Sequence, residues 1–129
     1  MKRRIQKKIL KKRQPLLKEV IIILDEIDPM GLLHSAEKAG FELEEEYSPE
    51  AKDIVANLSA QMTVVELEHA LKRIFDKWFY YPDIHQEYYM ASARRIMNAW
   101  LVFQGKDAME FPDDIELPKH KDPIIVEVD

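Results

Sequence analysis

Pro15-Leu16-Leu17-Lys18-Glu19-Val20-Ile21-Ile22-Ile23-Leu24-Asp25-Glu26-Ile27 decides the fold class. Its centre, Val20 to Ile23, is a β-branched string that would suit a buried strand. Its flanks settle the matter, because Leu16, Leu17, Val20, Ile21, Leu24 and Ile27 recur at helical spacing. Pro15 fits a first helical turn, and Asp28-Pro29 ends the run. The stretch is therefore read as the first core helix of an all-α domain.

Downstream, Asp28-Pro29-Met30-Gly31 reads as a structural turn. Asp28 accepts backbone hydrogen bonds, Pro29 fixes the chain direction, and Gly31 permits an unusual backbone angle. Ser48-Pro49-Glu50 then offers a helix start, with Ser48 as N-cap and Pro49 at the first helical position. Ala51, Ile54, Val55 and Leu58 mark one face of that helix. Thr63-Val64-Val65-Glu66 matches the capping-box pattern and opens the next stripe, Val64, Leu67, Leu71, Ile74, Phe75 and Trp78. A last helix spans about 84–104, with Gly105 as its stop. The expected architecture is a small bundle of about four helices over residues 15–105, preceded by a basic helical extension (1–14) and followed by an extended, proline-punctuated tail (106–129). Within the tail, residues 124–128 read as strand-like, and the tail is expected to wrap the surface or stay mobile.

Charge is strongly segregated. Residues 1–18 hold nine of the nineteen Lys/Arg and no acid, leaving ten against all twenty-four Asp/Glu in the remainder. The arm has phosphate-neutralising cations but no interleaved aromatics and only a thin apolar stripe (Ile5, Ile9, Leu10). Neither nucleic acid nor membrane is expected as a partner. A solvated helix extension is the first reading of the arm. The apolar run after it is too short for a transmembrane helix and leads into Asp25-Glu26 rather than a cleavage site. The chain has no cysteine, which excludes disulfides, thiol nucleophiles and thiolate metal sites and fits a cytoplasmic location.

Catalytic chemistry is not expected. Three glycines leave no phosphate-binding loop, no nucleophile elbow occurs, and the four serines lack a base-bearing context. Glu66 and His69 share the Glu-x-x-His spacing of di-iron bundles, yet such a site needs a second copy that the chain lacks. No metal and no cofactor are expected. The aromatic run Trp78-Phe79-Tyr80-Tyr81 cannot face one core entirely, so at least one member, Tyr80 first, is expected to be exposed or to meet the tail as a secondary contact patch.

The candidate site is the segment 41–50. Five acids, Glu42, Glu44, Glu45, Glu46 and Glu50, crowd around Tyr47, with Asp53 one turn on. Glu50 is explained in part by a helix dipole, whereas the three consecutive glutamates precede the cap and gain little from it. Such self-repulsion points to a basic partner inside or outside the chain.

Ile22 to Leu32, Glu45-Glu46-Tyr47-Ser48-Pro49-Glu50 and Ala70 to Phe79 together resemble a family of small bacterial helical proteins of uncharacterised function. Its pattern is a D-P-x-G turn after the first helix and a D-E-Y-x-x-E segment before the second. Glu45 here replaces the usual aspartate, and residues 1–15 and 105–129 lie outside the likeness. Relatives of this kind resemble immunity proteins encoded beside secreted toxins. The resemblance implies that Glu42, Glu44, Glu45, Glu46, Tyr47, Glu50 and Asp53 form the face for a cognate basic toxin domain such as a nuclease, with Asp28, Pro29 and Gly31 as the structural turn. The rival expectation is a self-associating interaction protein, in which the basic arm of one copy lies along the acidic body of another.

Overall fold

A computed structural model describes residues 2–40, 42–43 and 45–122, with side chains from residue 6 onward. Six helices follow one another: α1 (Lys2–Lys12), α2 (Gln14–Ile27), α3 (Leu32–Lys38), α4 (Ser48–Asn57), α5 (Val64–Phe79) and α6 (Gln86–Phe103). The all-α class agrees with the sequence reading; the number of helices does not. Apart from the arm helix α1, the addition is α3, a seven-residue helix in what the sequence presented as a connection. It is too short to display a period. It forms because a side chain outside it supplies acceptors for its first turn, as described below.

The core is a ring of four helices in which α6 packs against α2 and α5, and α4 packs against the same two from the other side. In α2 the residues Leu16, Leu17, Val20, Ile21, Ile23, Leu24 and Ile27 are all buried. Ile22 is half-exposed. That split places the β-branched string on a helix rather than on an alternating strand. Helix α5 begins as its sequence announces. Thr63 Oγ1 accepts from the Glu66 N–H at 3.1 Å, and Glu66 Oε1 accepts from the Thr63 N–H at 3.0 Å. Glu66 is thus occupied by a cap. The start of α4 differs from expectation: Tyr47 holds the cap position, Ser48 is the first helical residue, and no side chain caps the helix.

Arg13, counted by sequence among the solvated cations, folds inward between α1 and α2. Its Nη1 donates to the carbonyls of Val55 (2.7 Å) and Leu58 (3.0 Å), and its guanidinium lies 4.6 Å from the Trp100 ring centroid. Trp100 Nε1 donates to the Ser59 carbonyl at 2.9 Å. Together they close the C-terminal end of α4, whose last carbonyls lack intrahelical donors.

After α6, Gly105 adopts φ +78° and Lys106 N–H returns to the Leu101 carbonyl at 2.8 Å, reversing the chain. The tail then runs back along α6. Asn98 exchanges two hydrogen bonds with the Met109 backbone, and Arg94 donates to the Asp113 carbonyl (2.9 Å) and carboxylate (3.1 Å) while facing the Phe111 ring. Tyr88 donates to the Pro118 carbonyl, and His120 stacks on Tyr88 with ring centroids 4.7 Å apart. The tail therefore wraps the surface as far as Asp122. The strand-like segment 124–128 lies outside the described residues.

Candidate functional site

The D-P-x-G turn and the acidic segment, read from sequence as separate features, meet at one buried group. Asp28 caps α2 in a left-handed conformation (φ 53°) and is 7% exposed. Its carboxylate accepts from three donors: the Leu33 N–H (3.2 Å) and His34 N–H (2.8 Å) of the first turn of α3, and the Tyr47 hydroxyl (2.6 Å). The Tyr47 oxygen in turn accepts from the Met30 N–H at 3.0 Å. Gly31 at φ +69° completes the corner, and its missing side chain leaves room for His120, whose Nδ1 would lie 2.9 Å from a β-carbon. His120 Nε2 donates to the Asp28 carbonyl at 2.5 Å, and His34 pairs with Asp122 at 2.9 Å, so the tail closes over the same corner.

Tyr47 has no exposed surface. Burial, followed by the Asp28 carboxylate, raises its hydroxyl pKa well above the ordinary value. It acts as the pin between the acidic segment and the corner and is not a surface aromatic. Glu50 is also withdrawn, at 4% exposure, and its Oε2 has no partner among the described residues. Burial raises its pKa, helped by the nearby Glu46 and Asp53 charges. Asp53 is half-buried and engaged, its Oδ2 accepting from Trp78 Nε1 (2.9 Å) and Lys77 Nζ (3.3 Å). Glu44 lies outside the described residues. Of the residues expected to face a partner, Glu42, Glu45 and Glu46 are exposed.

The half-buried Asp25, whose Oδ1 is buried and has no partner among the described residues, lies beside Glu45, a placement that sequence reasoning missed. Its Oδ2 accepts from the Glu45 N–H at 3.2 Å across a separation of 20 residues. No local pattern on α2 signals that contact. Burial raises the Asp25 pKa, and although the Glu45 N–H opposes this, the charges of Glu45, Asp28 and Glu46 add to it. None of Asp25, Glu42, Glu45 and Glu46 forms an ion pair among the described residues. The edge is therefore an uncompensated anionic surface fixed to a rigid buried pin.

Glu50 carries a pH prediction. A carboxyl whose folded pKa lies above its unfolded value contributes stability that is full below the unfolded pKa, near 4.5. That contribution is lost as pH rises through the folded pKa. Glu50→Gln removes the titration, so at neutral pH the variant should match or exceed wild-type stability by on the order of 1 kcal/mol. Its advantage should vanish near pH 4, and thermal melts across that range check the crossover.

The fold and this edge define a small helical-bundle protein with exposed carboxylates beside a buried tyrosine pin. Among the described residues no group of three or more His, Asp or Glu side chains is arranged to hold a metal, and no helix is long and apolar enough to cross a membrane. Comparison with protein-family models, with curated proteins and with solved structures finds no match.

Proposed function

We propose that this chain is a protein-binding module of the immunity type, neutralising a basic toxin domain such as a nuclease through the edge formed by Asp25, Glu42, Glu45 and Glu46. One observation carries the reading: Glu45 and Glu46 stand close enough to Asp25 for their charges to add to burial in raising its pKa, with no cation of the described chain paired to any of the three. A basic partner relieves that repulsion on binding and is steered to the edge at long range. The buried Tyr47 pin holds the edge in place before contact, which lowers the ordering cost of association.

Capture from the native host lysate with wild-type protein and with Glu45→Gln/Glu46→Gln, followed by mass spectrometry, tests this. A basic toxin domain should be recovered by the wild type and lost, or weakened at least tenfold, by the variant. Both exposed residues make no side-chain hydrogen bond among the described residues, so the variant should melt like wild type. Recovery of the same partner by both proteins would remove the edge from the function. Recovery of this chain alone would favour self-association through the exposed lysines of α1.

A further inference from the structure

Two neighbouring residues hold an expensive conformation. Tyr80 and Tyr81 both have positive φ, 54° and 53°, and both project into solvent, at 86% and 75% exposure. Glycine or asparagine ordinarily ends a helix in this way, because the left-handed region crowds a β-carbon against the following carbonyl oxygen at a cost in strain. Neither tyrosine recovers that cost by burial. Just before them Trp78 is 46% exposed, and its indole is oriented by the bond to Asp53. Three aromatic faces thus stand in water at the end of α5, with Tyr80 and Tyr81 rings 5.6 Å apart.

Three cations line the surface beside them, Lys52 and Lys77 near Trp78, Arg73 and Lys77 near Tyr80 and Tyr81. Two open depressions meet at Lys77: one runs from Gln6 and Leu10 of α1 past Lys52 to Trp78, the other from Arg73 to Tyr80 and Tyr81. Lys52, Arg73 and the exposed α1 residues Lys7, Lys8, Lys11 and Lys12 form no ion pair among the described residues. The acids on this face are engaged, Asp53 by Lys77 and Trp78, Asp76 by Lys72. In sequence the arm has no aromatics near it. The packing of α1 on α4 brings it beside Trp78.

We infer that this face is a binding site for single-stranded nucleic acid, with Trp78, Tyr80 and Tyr81 stacking unpaired bases and Arg73, Lys77 and Lys52 meeting phosphates. Aromatic platforms along a cationic groove are the chemistry that binds single strands without reading their sequence. A duplex hides its base faces and would leave the aromatics unused. A membrane surface would require an apolar wedge, whereas here the aliphatic lining is the half-buried Leu10 with the smaller Pro49 and Ala56, and two carboxylates line the floor. An acidic peptide would satisfy the cations alone.

The test uses the full chain and a fluorescein-labelled oligothymidylate or oligouridylate about 12 nucleotides long, within the span of such platforms. Anisotropy should report binding that weakens steeply between about 50 and 200 mM salt. Tyr80→Gly/Tyr81→Gly should weaken it at least tenfold, since each stacked base contributes about 1–3 kcal/mol. The same variant relieves the backbone and should melt at or above the wild-type temperature, so a binding loss is not unfolding. Arg73→Gln/Lys77→Gln should lower the salt slope by about one to two. The assignment is overturned if wild type does not bind at low salt, or if the glycine variant binds as well as wild type. Sedimentation with phosphatidylserine vesicles that excess oligonucleotide does not displace would overturn it in favour of a membrane surface.

Discussion

Asp28→Ala should lower the unfolding free energy by about 4 kcal/mol, a large part of the 5–15 kcal/mol that holds a domain of this size. The change removes the acceptor for two backbone N–H groups of α3 and for the buried Tyr47 hydroxyl at once. Each donor left without a partner away from water costs on the order of 1–3 kcal/mol. Helix α3 should fray first, because seven residues cannot sustain a helix without tertiary support. Tyr47→Phe should cost less, about 2 kcal/mol, since Asp28 keeps its two backbone donors. The double variant should cost less than the two single changes combined, because they remove a shared contact. Urea titration with an unchanged slope is the measurement. A loss under about 1 kcal/mol for Asp28→Ala would mean that water replaces the carboxylate and that the corner is not a structural pin.

Arg13→Ala should cost about 3 kcal/mol, the second-largest effect expected from a single change outside the apolar core. The guanidinium holds two carbonyls at the end of α4 and covers the face of Trp100, so its removal takes away charge-assisted hydrogen bonds and a cation–π contact together. Arg13→Lys should recover little, because an ammonium cannot bridge the two carbonyls and lie flat on the indole in one position. Indole emission should shift to the red as Trp100 gains water. By contrast Lys11→Ala and Lys12→Ala, at exposed positions two and one residues earlier, should stay within about 0.5 kcal/mol of wild type. Equal losses at all three positions would return Arg13 to the solvated arm.

The helical class, the end of α2 at Asp28, the capped start of α5 at Thr63 and the reversal at Gly105 were legible from residues alone. Each depends on free energies set within one or two turns of chain: the period of an apolar stripe, a side chain bonding a backbone group three residues on, a glycine tolerating φ +78°. Helix α3 was not legible, because its cap comes from Asp28, outside its own segment. The candidate site was half legible. The run of glutamates announced an anionic surface, but which members face outward depended on the meeting of the segment with the corner.

What the sequence determined by itself was therefore the helical class, the long amphipathic helices and the segregation of charge. Tertiary structure decided the fate of single side chains: Tyr47 and Glu50 inward, Arg13 inward, Asp25 onto the acidic edge, and Trp78 beside a basic helix far from it in sequence. These pairings span separations of 19 residues for Tyr47 with Asp28, 25 for Trp78 with Asp53 and 42 for Arg13 with Val55. The physical reason is that a side chain's burial depends on which surfaces meet when helices pack. That outcome is written in volumes and contacts summed over the whole core, and no local stretch of chain contains it.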